Sequence, residues 1–352
     1  MSAFSVCIIV KNEEKNILKC LQSLQSLPVE IILVDTGSTD STVELAKKYT
    51  ANIFSFPWSN DFSAARNFSI SKASNDWILV LDADENITDC NCSFLLQFVA
   101  DNDACPCVGR VQRINHIIGD QGSDTSQEWI TRFFNKRYFH YSGSIHEQVT
   151  AIEPFSYTCM DLPIILNHSG YAASDDVIQK ANRDLTLLLN ESKYQNLDAY
   201  MNYQIGQCYY QLKKYNNACF YFEKCFDFDL NPELDYVRTM VLSYGYSLIA
   251  LKKFNRACIL SELAEFFPQF ADYHFLLGFI YMNLGDFQNA IASYKYAIQC
   301  SEYSVSGVNS FKAYYNMGVI EECLGNHKNA IMDYRKCGEY PPAQIRLGEL
   351  SK

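Results

Sequence analysis

Apolar and polar positions follow two different rhythms along this chain. In roughly the first 85 residues, short apolar runs alternate with stretches patterned for helix. Phe4 to Val10, Val29 to Val34, Ile53 to Phe56 and Trp77 to Leu81 read as strands, apolar on both faces as buried parallel strands are. Between them Ile17, Leu18, Leu21 and Leu24 share one helical face, and Val43 to Tyr49 and Phe62 to Ile70 also read as helices. This β-α-β-α order predicts a parallel sheet with helices on both faces. From Cys105 to Asn167 the pattern changes. Trp129 to Phe134 and Ile145 to Val149 read as strands between Gly and polar turns, so the sheet is expected to extend in a partly antiparallel way. A helical segment, about Asp175 to Glu191, leads out of this domain.

The remainder repeats itself. Gly206, Gly245, Gly278 and Gly318 are each followed twelve residues later by Ala218, Ala257, Ala290 and Ala330. Three of the blocks add an aromatic four residues on, at Phe222, Tyr294 and Tyr334. A small residue on each helix of a pair lets two backbones approach closely, which is the physical content of the tetratricopeptide pattern that these residues resemble. The resemblance covers about Leu197 to Leu350. The Gly-to-Gly spacings of 39, 33 and 40 predict extended helices or turns in the two longer blocks.

Length agrees with two domains: 352 residues, 48% hydrophobic and 20% charged, are enough for a core in each. The net charge is −11, and −9 of it falls in residues 1–194, which disfavours sequence-independent binding to a phosphate backbone. No nucleic-acid partner is expected. No apolar run approaches the ~18 residues of a membrane span. The start of the chain carries no basic region or apolar core of a secretory signal. The cytoplasm is therefore the expected location, with the fourteen Cys reduced. Cys90-Asn91-Cys92 and Cys105-Pro106-Cys107 lack zinc-site spacing.

The candidate chemistry lies where strands end. Leu79-Val80-Leu81 runs straight into Asp82-Ala83-Asp84-Glu85, and ligands of open α/β sheets bind at the carboxyl ends of strands. Carboxylates at i and i+2 could hold a hard divalent cation that neutralises a departing diphosphate, although Asp-x-Asp after a strand is also a common solvated turn. Asp35 ends the second strand and could accept hydrogen bonds from a base or ribose, or serve only a capping loop with Ser38, Thr39 and Asp40. Lys11-Asn12-Glu13 follows the first strand in the same way. No Gly-x-x-x-x-Gly-Lys-Ser/Thr or Gly-x-Gly-x-x-Gly follows that strand, which disfavours a P-loop NTPase or a dinucleotide-dependent dehydrogenase. Farther on, His146-Glu147 ends a predicted strand or hairpin. Neighbours on a strand face opposite ways, so only one of the two could serve as a general base. His168 could complete a metal shell, or be a structural histidine. Asp161 is a weaker candidate base.

Together these motifs resemble a family 2 glycosyltransferase of the GT-A fold. The resemblance is carried by Val10 to Glu14, Val34 to Thr42, Asn60 to Asn67 and Trp77 to Glu85. It implies an α/β GT-A (nucleotide-diphospho-sugar transferase) domain over 1–194, followed by an all-α tetratricopeptide-like domain over 195–352. It further implies that Asn12, Glu13, Asp35 and Arg66 contact a nucleotide-sugar, and that Asp82 and Asp84 serve its ribose and a Mg²⁺ or Mn²⁺ ion, with His168 as a further ligand. Inverting transfer of a hexose, with UDP-glucose or UDP-GlcNAc as donor and Glu147 or His146 as base, is the expected reaction.

The order of Asn60-Asp61-Phe62-Ser63, Arg66, Asp82-Ala83-Asp84, Arg132-Phe133-Phe134, His146-Glu147, His168-Ser169-Gly170-Tyr171, Arg183 and helical repeats is similar to sublancin-type peptide glycosyltransferases. That similarity implies a peptide or protein acceptor held by the repeats, and raises a homodimer built through the array. The same motifs occur in enzymes that glycosylate lipopolysaccharide core, so a cell-envelope glycan is the alternative acceptor. A catalytically degenerate interaction protein is a third reading, opposed by the intact Asp82/Asp84 pair.

Overall fold

A computed structural model describes residues 3–119, 122–168, 174–191 and 197–350. The chain divides into two compact units, Met1–Ser174 and Asp175–Lys352. The expected boundary at 194/195 lies outside the described residues, and the helix that follows Ser174 groups with the second unit.

In the first unit the elements run β1 (Phe4–Val10), α1 (Ile17–Ser23), β2 (Val29–Asp35), α2 (Thr42–Ala46), β3 (Ile53–Ser55), α3 (Phe62–Lys72), β4 (Trp77–Asp82), β5 (Glu85–Cys90), α4 (Cys92–Asp101), β6 (Cys107–Gly119), β7 (Gly122–Asn135), β8 (Phe139–Ser142), β9 (Gln148–Ala151) and β10 (Thr158–His168). Eight strands form one sheet in the order β3-β2-β1-β4-β7-β6-β10-β5. The first four are mutually parallel, as their apolar runs predict. Antiparallel pairing enters at β7, between β4 and β6. β8 and β9 form a separate antiparallel hairpin.

The period-2 geometry of a strand splits each apolar run between two cores. Phe4, Val6, Ile8 and Val10 of β1 join Trp77, Leu79 and Leu81 of β4 on the face covered by Ile17 and Leu21 of α1 and Leu95 and Phe98 of α4. Cys7, Ile78 and Val80 face the other way, onto Ile70 of α3 and Phe139 and Tyr141 of β8. Burial on both faces is why these runs carry no alternation in the sequence. The α/β fold class is the one expected.

One expected strand starts later than its composition predicts. Of Ile145 to Val149 only Gln148 and Val149 are in a strand, β9, and the segment before it is the turn of the β8–β9 hairpin, with φ of +100° at Gly143 and +51° at His146. The carbonyl of Ser144 accepts from the Phe62 N–H at 2.8 Å, which pins this turn to the start of α3. The face-alternation argument for His146 and Glu147 therefore does not apply.

The second unit holds α5 (Ser174–Glu191), α6 (Ala199–Gln211), α7 (Tyr215–Cys225), α8 (Asp235–Ala250), α9 (Phe254–Ala257) continued by a 3₁₀ segment (Cys258–Phe266), α10 (Ala271–Leu284), α11 (Phe287–Gln299), α12 (Phe311–Cys323), α13 (His327–Lys336) and α14 (Pro341–Leu350). Each repeat glycine is the place where a partner side chain presses on helix backbone. A Cβ on Gly206 would lie 2.5 Å from the Phe222 ring, on Gly278 2.7 Å from Tyr294, and on Gly318 2.6 Å from Tyr334. The block of Gly245 lacks the aromatic. Leu276 and Leu260 meet that glycine instead, and the second helix is the short α9 with its 3₁₀ extension. The two long spacings are absorbed by loops before α8 and before α12. Among the described residues, no helix is long and apolar enough to cross a membrane.

Gly278→Ala is expected to destabilise the helical signal by about 1–3 kcal/mol, because the Tyr294 ring must shift. Gly348→Ala meets nothing within 4 Å and is expected to be neutral or stabilising by up to about 1 kcal/mol. Urea denaturation followed by circular dichroism separates the two. Equal effects would contradict the packing role.

Candidate functional site

Three parallel strands bring their carboxyl ends to one level. Val10 of β1 lies opposite Asp35 of β2, and Ile9 lies opposite Asp82 of β4. From β1 the chain proceeds to β2 and β3 on one side, then returns to β4 on the other. The strand order reverses between β1 and β4, and the crevice outside such a reversal is where open α/β sheets bind ligands.

One wall of the crevice is a pair of loops laced together. Asn12, at φ of +56°, donates its N–H to Ser38 Oγ at 2.9 Å, and its Oδ1 accepts from the Thr39 N–H at 2.8 Å. The Glu13 N–H donates to Thr42 Oγ1 at 2.7 Å. Asp35 accepts from the N–H groups of Gly37 and Ser38, an Asx-type turn. In this structure Asn12 and Asp35 shape the loops at the mouth. Burial, reinforced by the nearby Asp84 and Asp82 charges, pushes the Glu13 carboxyl up despite a hydrogen bond from Asn16.

The floor is built on Asp82. Its Oδ1 accepts from Arg66 Nη2 at 2.7 Å and its Oδ2 from Arg132 Nη2 at 2.6 Å. Arg66 comes from α3 and Arg132 from β7, so one carboxylate joins three elements. Burial opposes ionisation of Asp82, but the Arg132 and Arg66 guanidiniums outweigh it and hold the carboxyl well below the usual range. Arg66 also donates through Nε to Glu147 Oε1 at 2.5 Å. Glu85, fully buried at the start of β5, accepts from the Asp82 N–H through Oε2 and from Arg113 Nη1 at 3.1 Å through Oε1. Arg113 reaches on to Glu128 at 2.8 Å.

Asp84 and His168 meet beside this floor, with Oδ2 and Nε2 3.2 Å apart. β10 pairs with β5 in a register that sets His168 against Glu85, which is how residues 84 apart in sequence come together. The ring's Nδ1 lies 2.7 Å from Asn115 Oδ1. Among the described residues there is no closed cage of three or more metal-ligating side chains. Two donors of this kind fit a divalent cation that takes its remaining ligands from substrate phosphates and water. Asp82, which the sequence also offers as a ligand, has both oxygens on arginines.

The candidates thus form one cluster (Glu13, Arg66, Asp82, Asp84, Glu147 and His168) beside the loop pair of Asn12 and Asp35. His146 lies in the left-handed turn preceding Glu147. Asp161 stands apart. It is seven residues before His168 on β10, roughly 20 Å along a strand, and pairs with Arg110 at 2.7 Å. Ser169, Gly170 and Tyr171 lie outside the described residues. Sequence reasoning noted Arg132 and Glu85 inside motifs without giving them a role. It missed Arg113, Asn115 and Glu128, whose spacing on β6 and β7 carries no local signal.

Residues 5–152 match the family model for glycosyl transferase family 2. Residues 199–232, 271–303 and 311–344 match tetratricopeptide repeat models. The chain is 28% identical over 328 residues to the SPbeta prophage-derived glycosyltransferase SunS of Bacillus subtilis, covering 88% of this chain and 74% of that protein. It is 45% identical over 87 residues to TPR repeat-containing protein Synpcc7942_0270 of Synechococcus elongatus, covering 25% of this chain and 22% of that protein. A solved structure of MamA, at 18% identity and a TM-score of 0.40, covers 49% of this chain and 96% of its own. The chain therefore carries a family 2 glycosyltransferase domain followed by tetratricopeptide repeats, with similarity to SunS across both.

Asp82→Asn removes the charge that two buried guanidiniums share and is expected to cost about 3 kcal/mol near pH 7. The Asp82 carboxyl lies below its unfolded value of about 3.9, so its contribution is complete above that pH and lost as pH falls further. Urea melts of wild type and variant should differ fully at pH 7, and the gap should begin to narrow only as the pH falls below about 4. A gap that stays unchanged on going further below that pH would contradict this origin.

Proposed function

We propose that the first unit transfers a hexose, with inversion, from a nucleotide-sugar to a side chain of a peptide or protein presented by the repeats. The observation that carries this reading is the Asp84–His168 pair set beside an arginine-clamped Asp82 at the strand-order reversal. The family implies the nucleotide-sugar, with UDP-glucose or UDP-GlcNAc proposed as donor. Similarity to SunS over 88% of the chain supports a pairing of transferase and repeats for one purpose. A cytoplasmic setting belongs to the same proposal.

In this reading Asp84 and His168 hold Mg²⁺ or Mn²⁺, which supplies positive charge to the diphosphate as the sugar–oxygen bond breaks. Asp82 is fixed by Arg66 and Arg132 and is proposed to face the ribose rather than to ligate the ion. Glu13, Asn12 and Asp35 line the nucleotide side. Glu147 has Oε1 on Arg66, and Oε2 is the atom proposed to take the acceptor proton during attack on the sugar carbon. The ion pair fixes its direction. His146, next to it in the turn, is the alternative base.

Asp84→Ala is expected to abolish transfer with the fold intact. Mass spectrometry of candidate peptides incubated with several nucleotide-sugars and Mn²⁺ provides the measurement, with circular dichroism as the fold check. Full transfer by the variant would refute the ion's place. Transfer to saccharides and to no polypeptide would replace the acceptor reading with a cell-envelope glycan. Failure to bind any nucleotide-sugar would leave an interaction protein.

A further inference from the structure

The ring of His168 is not oriented by Asp84 alone. Asn115 is buried, and its Nδ2 donates to Glu128 Oε1 at 2.7 Å. An ionised carboxylate only accepts, so that contact fixes which end of the Asn115 amide is nitrogen. Glu128 is kept ionised by Arg113, whose Nη2 and Nε donate to the same oxygen at 2.8 and 3.1 Å. The oxygen of the Asn115 amide must then face His168, and it lies 2.7 Å from Nδ1. An amide oxygen also only accepts, so Nδ1 must carry the hydrogen. In the neutral ring the lone pair is consequently on Nε2, and it is aimed at Asp84 Oδ2 from 3.2 Å.

We infer that Arg113, Glu128 and Asn115 form a positioning relay that sets His168 in its Nδ1–H tautomer and so makes Nε2 a ligand nitrogen. A lone pair facing a carboxylate oxygen at this distance is repulsive unless positive charge, a proton on the ring or a metal ion, lies between them. The relay therefore prepares the gap between Asp84 and His168 for a cation before one arrives. The inference rests on the proposed metal site, but the tautomer it assigns can be read without metal. None of the three residues reaches the gap itself: each acts through its neighbour, and in this relay only the His168 ring would touch an ion held with Asp84.

The test uses the full chain with ¹⁵N-labelled histidine. Two-bond ¹H–¹⁵N correlation spectra at a pH where the ring is neutral, with His168→Ala to assign the signal, report the tautomer in wild type. Nδ1–H is expected, and an Nε2–H ring would overturn the relay. Mn²⁺ affinity in the presence of UDP, followed by electron paramagnetic resonance, supplies the second readout. Asn115→Leu is expected to weaken Mn²⁺ about 10–100-fold. Glu128→Gln, which keeps an acceptor for Asn115, should change it far less. Wild-type affinity in Asn115→Leu, with affinity lost in Asp84→Ala, would overturn the relay while leaving the metal site standing. Wild type that binds no Mn²⁺ would overturn both.

Discussion

A single carboxylate shared by two guanidiniums organises the candidate site in the first unit of this chain. Asp82 ends β4, Arg66 projects from α3 and Arg132 from β7, and each guanidinium lies within 2.7 Å of an Asp82 carboxylate oxygen. Because Arg66 and Arg132 are buried, neither they nor Asp82 could be tolerated alone: an unpaired charge there would cost several kcal/mol. The pairing is thus mutual, and it reaches outward. Arg66 carries Glu147 with it, and Glu85 receives both the Asp82 N–H and Arg113. Six ionic side chains, from α3, β4, β5, β6, β7 and the turn before β9, are locked into one arrangement around the mouth of the sheet.

This network sits where the topology makes a crevice. The parallel half of the sheet was legible from its apolar runs, since burial on both faces leaves no alternation to misread. The repeat array was legible for a different reason. Gly206, Gly278 and Gly318 each face an aromatic ring of the next helix, and a packing contact repeated in space becomes a repeated spacing in the text. The block that broke the pattern, at Gly245, is also the one whose second helix shortens into a 3₁₀ segment.

The site was only half legible. Asp82, Asp84, Arg66, Glu147 and His168 lie in recognisable motifs and do converge. Their pairings were not readable, because they depend on the register of long antiparallel strands. Arg113, Asn115 and Glu128 meet through β6–β7 pairing, and His168 joins them through β10. Nothing local in the sequence marks such contacts. The turn at His146 was misread because Ile145 to Val149 has strand-like composition, yet Gly143 at positive φ and the hydrogen bond from Phe62 hold the chain in another shape. Asp82 shows the converse: an Asp-x-Asp motif treats its two acids alike, whereas their surroundings give them different partners.

That division of labour is the centre of the proposed mechanism. One acid braces the floor with arginines, and the other faces an imidazole whose lone pair is directed at it. The most direct measurement is an anomalous-scattering map from crystals grown with Mn²⁺ and a nucleoside diphosphate. The account expects a single manganese peak at bonding distance, about 2.0–2.3 Å, from an Asp84 oxygen and from His168 Nε2, with Asp82 still on Arg66 and Arg132. A peak bridging Asp82 with its arginines displaced, or none beside His168, would contradict it.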